Sequence, residues 1–256
     1  MGSGVVVLAR PGLATNILVN ALQESTGVDH VVLEQPGSRR TFLAQRVRKL
    51  GLATVVGQLA FMAMVAPVLR VLARRRVARI LAEHDLDASP PAGASVTTVR
   101  SVNDRATVDM LRTMAPHVVV LSGTRIVAAH VLNHLSATFL NLHAGITPAY
   151  RGVHGGYWAL AEKRPEACGA TVHQVDAGID TGAVVAQALI EPNDADSFAT
   201  YPLLQLAAGL PLLTLAVRMA RDGHALPALD GPGPSRAWSH PTLWGYLRRR
   251  IMSGVR

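Results

Sequence analysis

The chain has 256 residues, enough for one large domain or one domain with an appendage. Its residues are 49% apolar and only 4% aromatic, the composition of a folded α/β protein rather than a fibrous or disordered one. The net charge is +8, and the single cysteine, Cys168, excludes an internal disulfide framework and fits a reducing, cytoplasmic setting. Cys168 reads as a small residue beside Gly169 at a strand entry in preference to a nucleophile.

Residues 5–8, all Val and Leu, predict a first strand that ends at a Pro11-Gly12 turn, not the apolar core of a secretory leader. A helix over 14–24 and a second strand at 30–34 complete the opening βαβ pattern of a doubly wound sheet. An arginine-flanked insertion follows, from about 39 to 84. Within it, the twenty residues 50–69 carry no charge, but Gly51, Gly57, Gln58 and Pro67 interrupt them. Three readings stand: a helical hairpin packed on the domain or on a dimer mate, a helix lying in a membrane interface, and a true span. A nucleic-acid surface is disfavoured, because no aromatics interleave with the arginines and no recognition motif accompanies them.

Residues 89–93 read as a loop. Asn103-Asp104 predicts a cap for a helix that runs to Met114, broken by Pro116-His117 before a strand at 118–121. A helix over 124–135 then leads into a strand at 138–143. Two apolar runs, 170–175 and 183–188, flank a glycine-rich turn, and 201–221 reads as a long helix apart from Pro211. Gly231-Pro232-Gly233-Pro234 reads as a linker. The expected organisation is an α/β domain over 1–222, containing the insertion, and a tail over 223–256. Trp238, His240, Trp244 and Tyr246 make that tail aromatic; it either tucks onto the domain or serves the acceptor or a dimer mate.

Three residues carry the chemistry. Asn141 and His143, two apart on a strand, point to one face of the sheet. They end that strand, where parallel sheets bind ligands. Asp180 lies in the glycine-rich turn, 176–182. An amide donor, an imidazole and a carboxylate in one cleft suit acyl transfer: the donor stabilises an oxyanion and the other two manage a proton. The plainer alternative is that Asn141 and His143 cap a strand and Asp180 makes a turn. The histidines do not recur at zinc-ligand spacings, so no metal is expected, and no Gly-x-Ser-x-Gly elbow supports a serine hydrolase.

Asn141-Leu142-His143, the loop Pro148-Ala149-Tyr150-Arg151-Gly152 and the turn Ile179-Asp180-Thr181-Gly182, in that order, resemble the folate-dependent formyltransferase family. That family includes the glycinamide ribonucleotide, methionyl-tRNA and amino-sugar formyltransferases. The resemblance is strong over about 118–190 and weak before it. It implies transfer of a formyl group from 10-formyltetrahydrofolate, as co-substrate, to an amine through a tetrahedral intermediate. Asn141 would hold the formyl oxygen. His143 would stabilise the oxyanion or move a proton. Asp180 would raise the His143 pKa and accept the amine proton, directly or through water. The backbone of Asp176, Ala177 and Gly178 would bind the pterin of the folate.

Arg151, His154 and His173 are candidates for acceptor binding. Each has a plainer alternative: a pin for its loop, a solvent-exposed loop histidine and a satisfied wall histidine, respectively. Departures from the family narrow the acceptor. Residues 9–16 hold one glycine and no glycine-rich run for a ribonucleotide phosphate, although the start of the first helix could still take an anion, and about thirty residues beyond the last long helix are too few for a tRNA-binding barrel. The expected partner is therefore a small-molecule amine, an amino sugar by preference, and no nucleic acid. Residues 50–69 are a candidate contact to a membrane surface or a second copy, which extends the cytoplasmic setting to a membrane-associated one. The rival functions are a formyltetrahydrofolate hydrolase, with water as acceptor, and a non-catalytic scaffold on the same fold.

Overall fold

A computed structural model describes residues 4–230 and 233–256, without the side chains of Arg39 and Phe42. Gly231 and Pro232 of the expected linker lie outside the described residues. The first βαβ unit consists of β1 (Val5–Ala9), α1 (Leu13–Ser25) and β2 (His30–Glu34). The insertion follows as α2 (Arg39–Leu50), α3 (Leu52–Ala60), a π turn (Phe61–Val65), α4 (Ala66–Leu72) and α5 (Arg74–Glu83). Gly51, at φ 82°, allows the chain to turn between α2 and α3, a left-handed conformation that a side chain would strain.

Beyond the insertion come β3 (Ser95–Val99), α6 (Arg105–Met114), β4 (Val118–Ser122), α7 (Ala129–His134) and β5 (Thr138–His143). Then follow β6 (Arg151–Gly152), α8 (Gly155–Ala161), β7 (Gly169–Gln174), β8 (Val184–Leu189) and α9 (Tyr201–Arg221). The tail supplies β9 (Ala237–Trp238) and α10 (Leu243–Ser253). The seven-stranded sheet has the order β3-β2-β1-β4-β5-β7-β8. It is parallel from β3 to β5, and β7 and β8 pair antiparallel at one edge. The strand order reverses beside β1 and β4, and helices cover both faces, so this is the expected doubly wound, mostly parallel sheet with a helical insertion after the second strand.

β1 and the first four residues of β4 are buried throughout, as central parallel strands must be when both faces are covered. Helix α9 lies on β5, β7 and β8 and runs unbroken through Pro211, whose ring sits on the exposed side. Three differences from the sequence reading stand out. β3 follows the loop expected over 89–93, in a stretch where no element was expected. The helix expected over 124–135 begins only at Ala129, because the Arg125 amide donates to Glu34 and the Ala128 amide to Asn103, which holds the preceding residues extended. The tail forms a helix and a short strand: β9 runs parallel to β6, pairing Arg151 with Ala237 and Gly152 with Trp238.

Candidate active site

Asn141 and His143 stand at the carboxyl end of β5, and register brings Asn141 opposite His173 on β7. The turn between β7 and β8 folds back so that Asp180, in a left-handed conformation at φ 49°, faces both strands. Asp180 Oδ2 lies 3.4 Å from His143 Nδ1, and Asp180 Oδ1 lies 3.5 Å from His173 Nε2. Asn141 Nδ2 lies 3.1 Å from His173 Nε2 and 3.5 Å from Asp180 Oδ1. The three residues singled out in the sequence thus meet in one cluster, together with His173.

Fixed backbone partners assign the tautomers. His143 Nε2 is 2.7 Å from the Tyr150 carbonyl, which can only accept, so Nε2 carries a hydrogen. His173 Nδ1 donates in the same way to the Gln174 carbonyl at 2.7 Å, which leaves Nε2 to accept from the Asn141 amide. Burial pushes the His143 pKa below its ordinary value of 6.5; the nearby Asp180 charge and the Tyr150 carbonyl oppose this without reversing it. Asp180 acts to raise the pKa, as expected, but His143 is 7% exposed and desolvation outweighs the carboxylate, so the net shift is downward. His143 is therefore neutral at pH 7, with the Nδ1 lone pair turned to Asp180. Burial would push the Asp180 carboxyl up, but its polar surroundings, with the Gly152 amide donating at 2.8 Å, hold it below the usual carboxylate value.

The loop between β5 and α8 is built to return to His143. A Cβ on Gly145 would collide with the Tyr150 carbonyl oxygen and the His143 ring, so only glycine lets the two approach. The tail clamps the far side of this loop. Trp238 Nε1 donates to the Ala149 carbonyl at 3.0 Å, Trp158 Nε1 donates to the Ser239 carbonyl at 2.9 Å, and Trp238 stacks on both Tyr150 and Trp158.

Arg151 donates from Nη1 to the Ile179 carbonyl at 2.9 Å, one residue before Asp180, so its guanidinium ties the loop to the turn. The Asp176 carboxylate closes that turn by accepting from the Gly178 amide at 3.0 Å and the Thr181 hydroxyl at 2.6 Å. The Ala177 peptide makes no hydrogen bond within the described residues, and 176–179 are exposed. His154 packs on the Phe198 ring and meets His240 Nδ1 through Nε2 at 2.9 Å, so it belongs to the tail contact and not to the cluster around Asp180. Burial holds both rings neutral, His154 at about 3 and His240 at about 4. Buried Cys168 bonds the Gly156 carbonyl, and burial pushes its thiol up to about 12, far from a nucleophile's range.

The Tyr150 carbonyl and the Gly152 amide were not singled out in the sequence, and His240 was named only as part of the aromatic tail. Backbone groups leave no residue-type signal, and His240 is 60 positions beyond Asp180 in a segment without a motif.

Comparison with known proteins bears on this arrangement. Residues 44–201 match the family model described as formyl transferase. A methionyl-tRNA formyltransferase from Anaeromyxobacter dehalogenans (strain 2CP-C) is 30% identical over 141 residues, covering 55% of this chain and 45% of the relative. The chain thus spans less than half the length of the curated relatives it matches. Among solved structures, glycinamide ribonucleotide transformylase 1 from Symbiobacterium toebii superposes with a TM-score of 0.57 at 20% identity, covering 88% of this chain and 94% of that one. A sugar N-formyltransferase from Shewanella sp. FDAARGOS_354 superposes with a TM-score of 0.55 at 13% identity, covering 91% and 76%. These likenesses show the fold.

Proposed function

We propose that this chain, which belongs to the formyl transferase family, moves a formyl group from 10-formyltetrahydrofolate to the amine of a small-molecule acceptor. The observation that carries the reading is the cluster of Asn141, His143 and Asp180 at the carboxyl end of β5. The family uses 10-formyltetrahydrofolate, which supplies an activated formyl carbon when bound. The exposed turn at Asp176, Ala177 and Gly178 fits the folate's pterin, because the Ala177 peptide is left free to pair with its ring edges.

The long 3.5 Å contact from Asn141 to Asp180 is the one a formyl oxygen would replace. The amide then donates to that oxygen as negative charge develops, a donor worth about 3 kcal/mol in comparable sites. Neutral His143 offers Nδ1 to the proton leaving the attacking amine, and the tetrahedral intermediate then breaks its bond to the folate nitrogen, which takes up a proton and leaves as tetrahydrofolate. The imidazolium so formed lies between the Tyr150 carbonyl and Asp180, both of which stabilise it. His173 holds the Asn141 amide in place, and Arg151 holds the turn that carries Asp180.

For the acceptor we favour an amino sugar. Arg10, after β1, faces the buried Glu34 at 3.6 Å, and residues 9–16 hold a single glycine, so the segment lacks the glycine-rich run that would cradle a ribonucleotide phosphate. The buried, reduced Cys168 suits a cytoplasmic setting. A scan of amines with 10-formyltetrahydrofolate, read by mass spectrometry of the formylated product, tests the proposal. Wild-type protein is expected to formylate an amino sugar, and His143→Ala to lose at least a hundredfold in turnover while folded. Near-wild-type turnover by folded His143→Ala would sink the mechanism. Tetrahydrofolate release with no amine present would instead identify water as the acceptor.

A further inference from the structure

Among the described residues, two helical stretches are long and apolar enough to cross a bilayer, Leu52–Leu72 and Tyr201–Arg221, each of 21 residues. The second is α9, packed on the sheet. The first is anchored along one side only: Val55, Phe61 and Ala66 are buried, and Gln58 donates to the His240 carbonyl at 2.7 Å. Its other side presents Leu52, Val56, Leu59, Met64, Val68 and Val71, from 48% to 66% exposed. The steps along this stripe are four, three, five, four and three residues. The step of five falls across the π turn, whose wider winding keeps the apolar residues in line. Trp244 of α10 lies on Gly57, where any Cβ would collide with the indole, and joins a second stripe, Leu247, Ile251 and Met252, to the first.

The charge around these stripes is segregated. Residues 35–82 and 231–256 together hold fifteen of the 25 Lys and Arg and none of the 17 Asp and Glu. The remainder of the chain therefore carries ten basic against 17 acidic residues. Arg48, Lys49, Arg70, Arg74, Arg75 and Arg79 flank the first stripe, are exposed, and have no carboxylate within ion-pair distance among the described residues.

The geometry points to an anionic bilayer surface as the occupant of this face, with α3 and α4 lying in the interface, Trp244 beside them, and the basic side chains reaching the headgroups. A second copy fits poorly, since a twofold contact would set the same uncompensated arginines against themselves. RNA fits poorly too, because the centre of the face is aliphatic. A span is opposed by the buried side, where Gln58 ties the helix to the tail. This inference does not depend on the proposed activity.

The test floats the full chain with vesicles of phosphatidylcholine alone, or with about one-third phosphatidylglycerol. Light scattering, a tRNA gel shift and carbonate extraction of the bound protein run alongside. The expected result is a protein that floats with the anionic vesicles, is released by salt and by carbonate, and shows a blue shift of indole emission on binding. Exchanging Arg74, Arg75 and Arg79 for Gln should weaken partitioning by about fivefold per charge removed, and Leu59→Asp with Val68→Asp should abolish it. Should the aspartate variant lose its circular dichroism, the glutamine variant, altered only at exposed side chains, decides. Failure to float overturns the inference. So does a dimer split by the aspartate pair, a tRNA complex that excludes vesicles, or resistance to carbonate.

Discussion

In the proposed reaction His143 takes the amine proton, and its environment sets a testable sign. Burial lowers its pKa and Asp180 only partly restores it, so the acid limb of kcat/KM against pH should lie below 6.5, the ordinary histidine value. Asp180→Asn removes the restoring charge and should move that limb lower still, besides reducing turnover. An acid limb above 6.5 in the wild type would show that the carboxylate, not burial, governs the ring. The pairing of Asn141 with His143 was legible because a strand's two-residue period is strict. The return of the Tyr150 carbonyl was not, because it depends on Gly145 having no side chain, and a lone glycine after a histidine carries no such message.

At the scale of elements, the insertion is held to the domain by a buried ion pair. Arg76 on α5 bonds Asp196 at 2.8 Å through Nε, and Asp196 is fully buried. Burial alone would push the Asp196 carboxyl up, yet Arg76 and the Asn193 amide hold it below its usual value. Arg76→Met leaves that carboxylate without its cation and should cost about 3 kcal/mol in urea unfolding, with faster proteolysis within the insertion. Unchanged stability would mean that the insertion is held by its apolar contacts alone. Most elements were readable from periodicity, including β1, β2, β4, β5 and α9. β3 was not: Ser95-Val96-Thr97-Thr98-Val99 lies at the sheet's edge, three of its residues are exposed, and it shows no clear alternation. In the tail, α10 was hidden because Tyr246 is its one buried residue, which leaves little helical periodicity to read.

For the whole molecule, the His154–His240 pair couples stability to acidity. Both rings are neutral when folded, with values of about 3 and about 4, whereas each takes a proton near 6.5 when unfolded. Between those values the unfolded chain binds more protons, so stability is complete above pH 6.5 and falls as the pH drops towards 4. Thermal melts from pH 7 to 4.5 should show that slope, and His154→Asn, which tolerates the left-handed backbone at φ 61°, should flatten it. An equal slope in the variant would place the titration elsewhere, His143 being the next group in that range. The segregation of charge between the helical face and the acidic remainder has a consequence of its own. It makes the molecule an electrical dipole, and near any negatively charged boundary a dipole feels a torque before it touches. Within about 10 Å, where salt no longer screens the field, the acidic body is turned away and the arginine-rimmed helices come round to the front. Arrival and orientation then become one event.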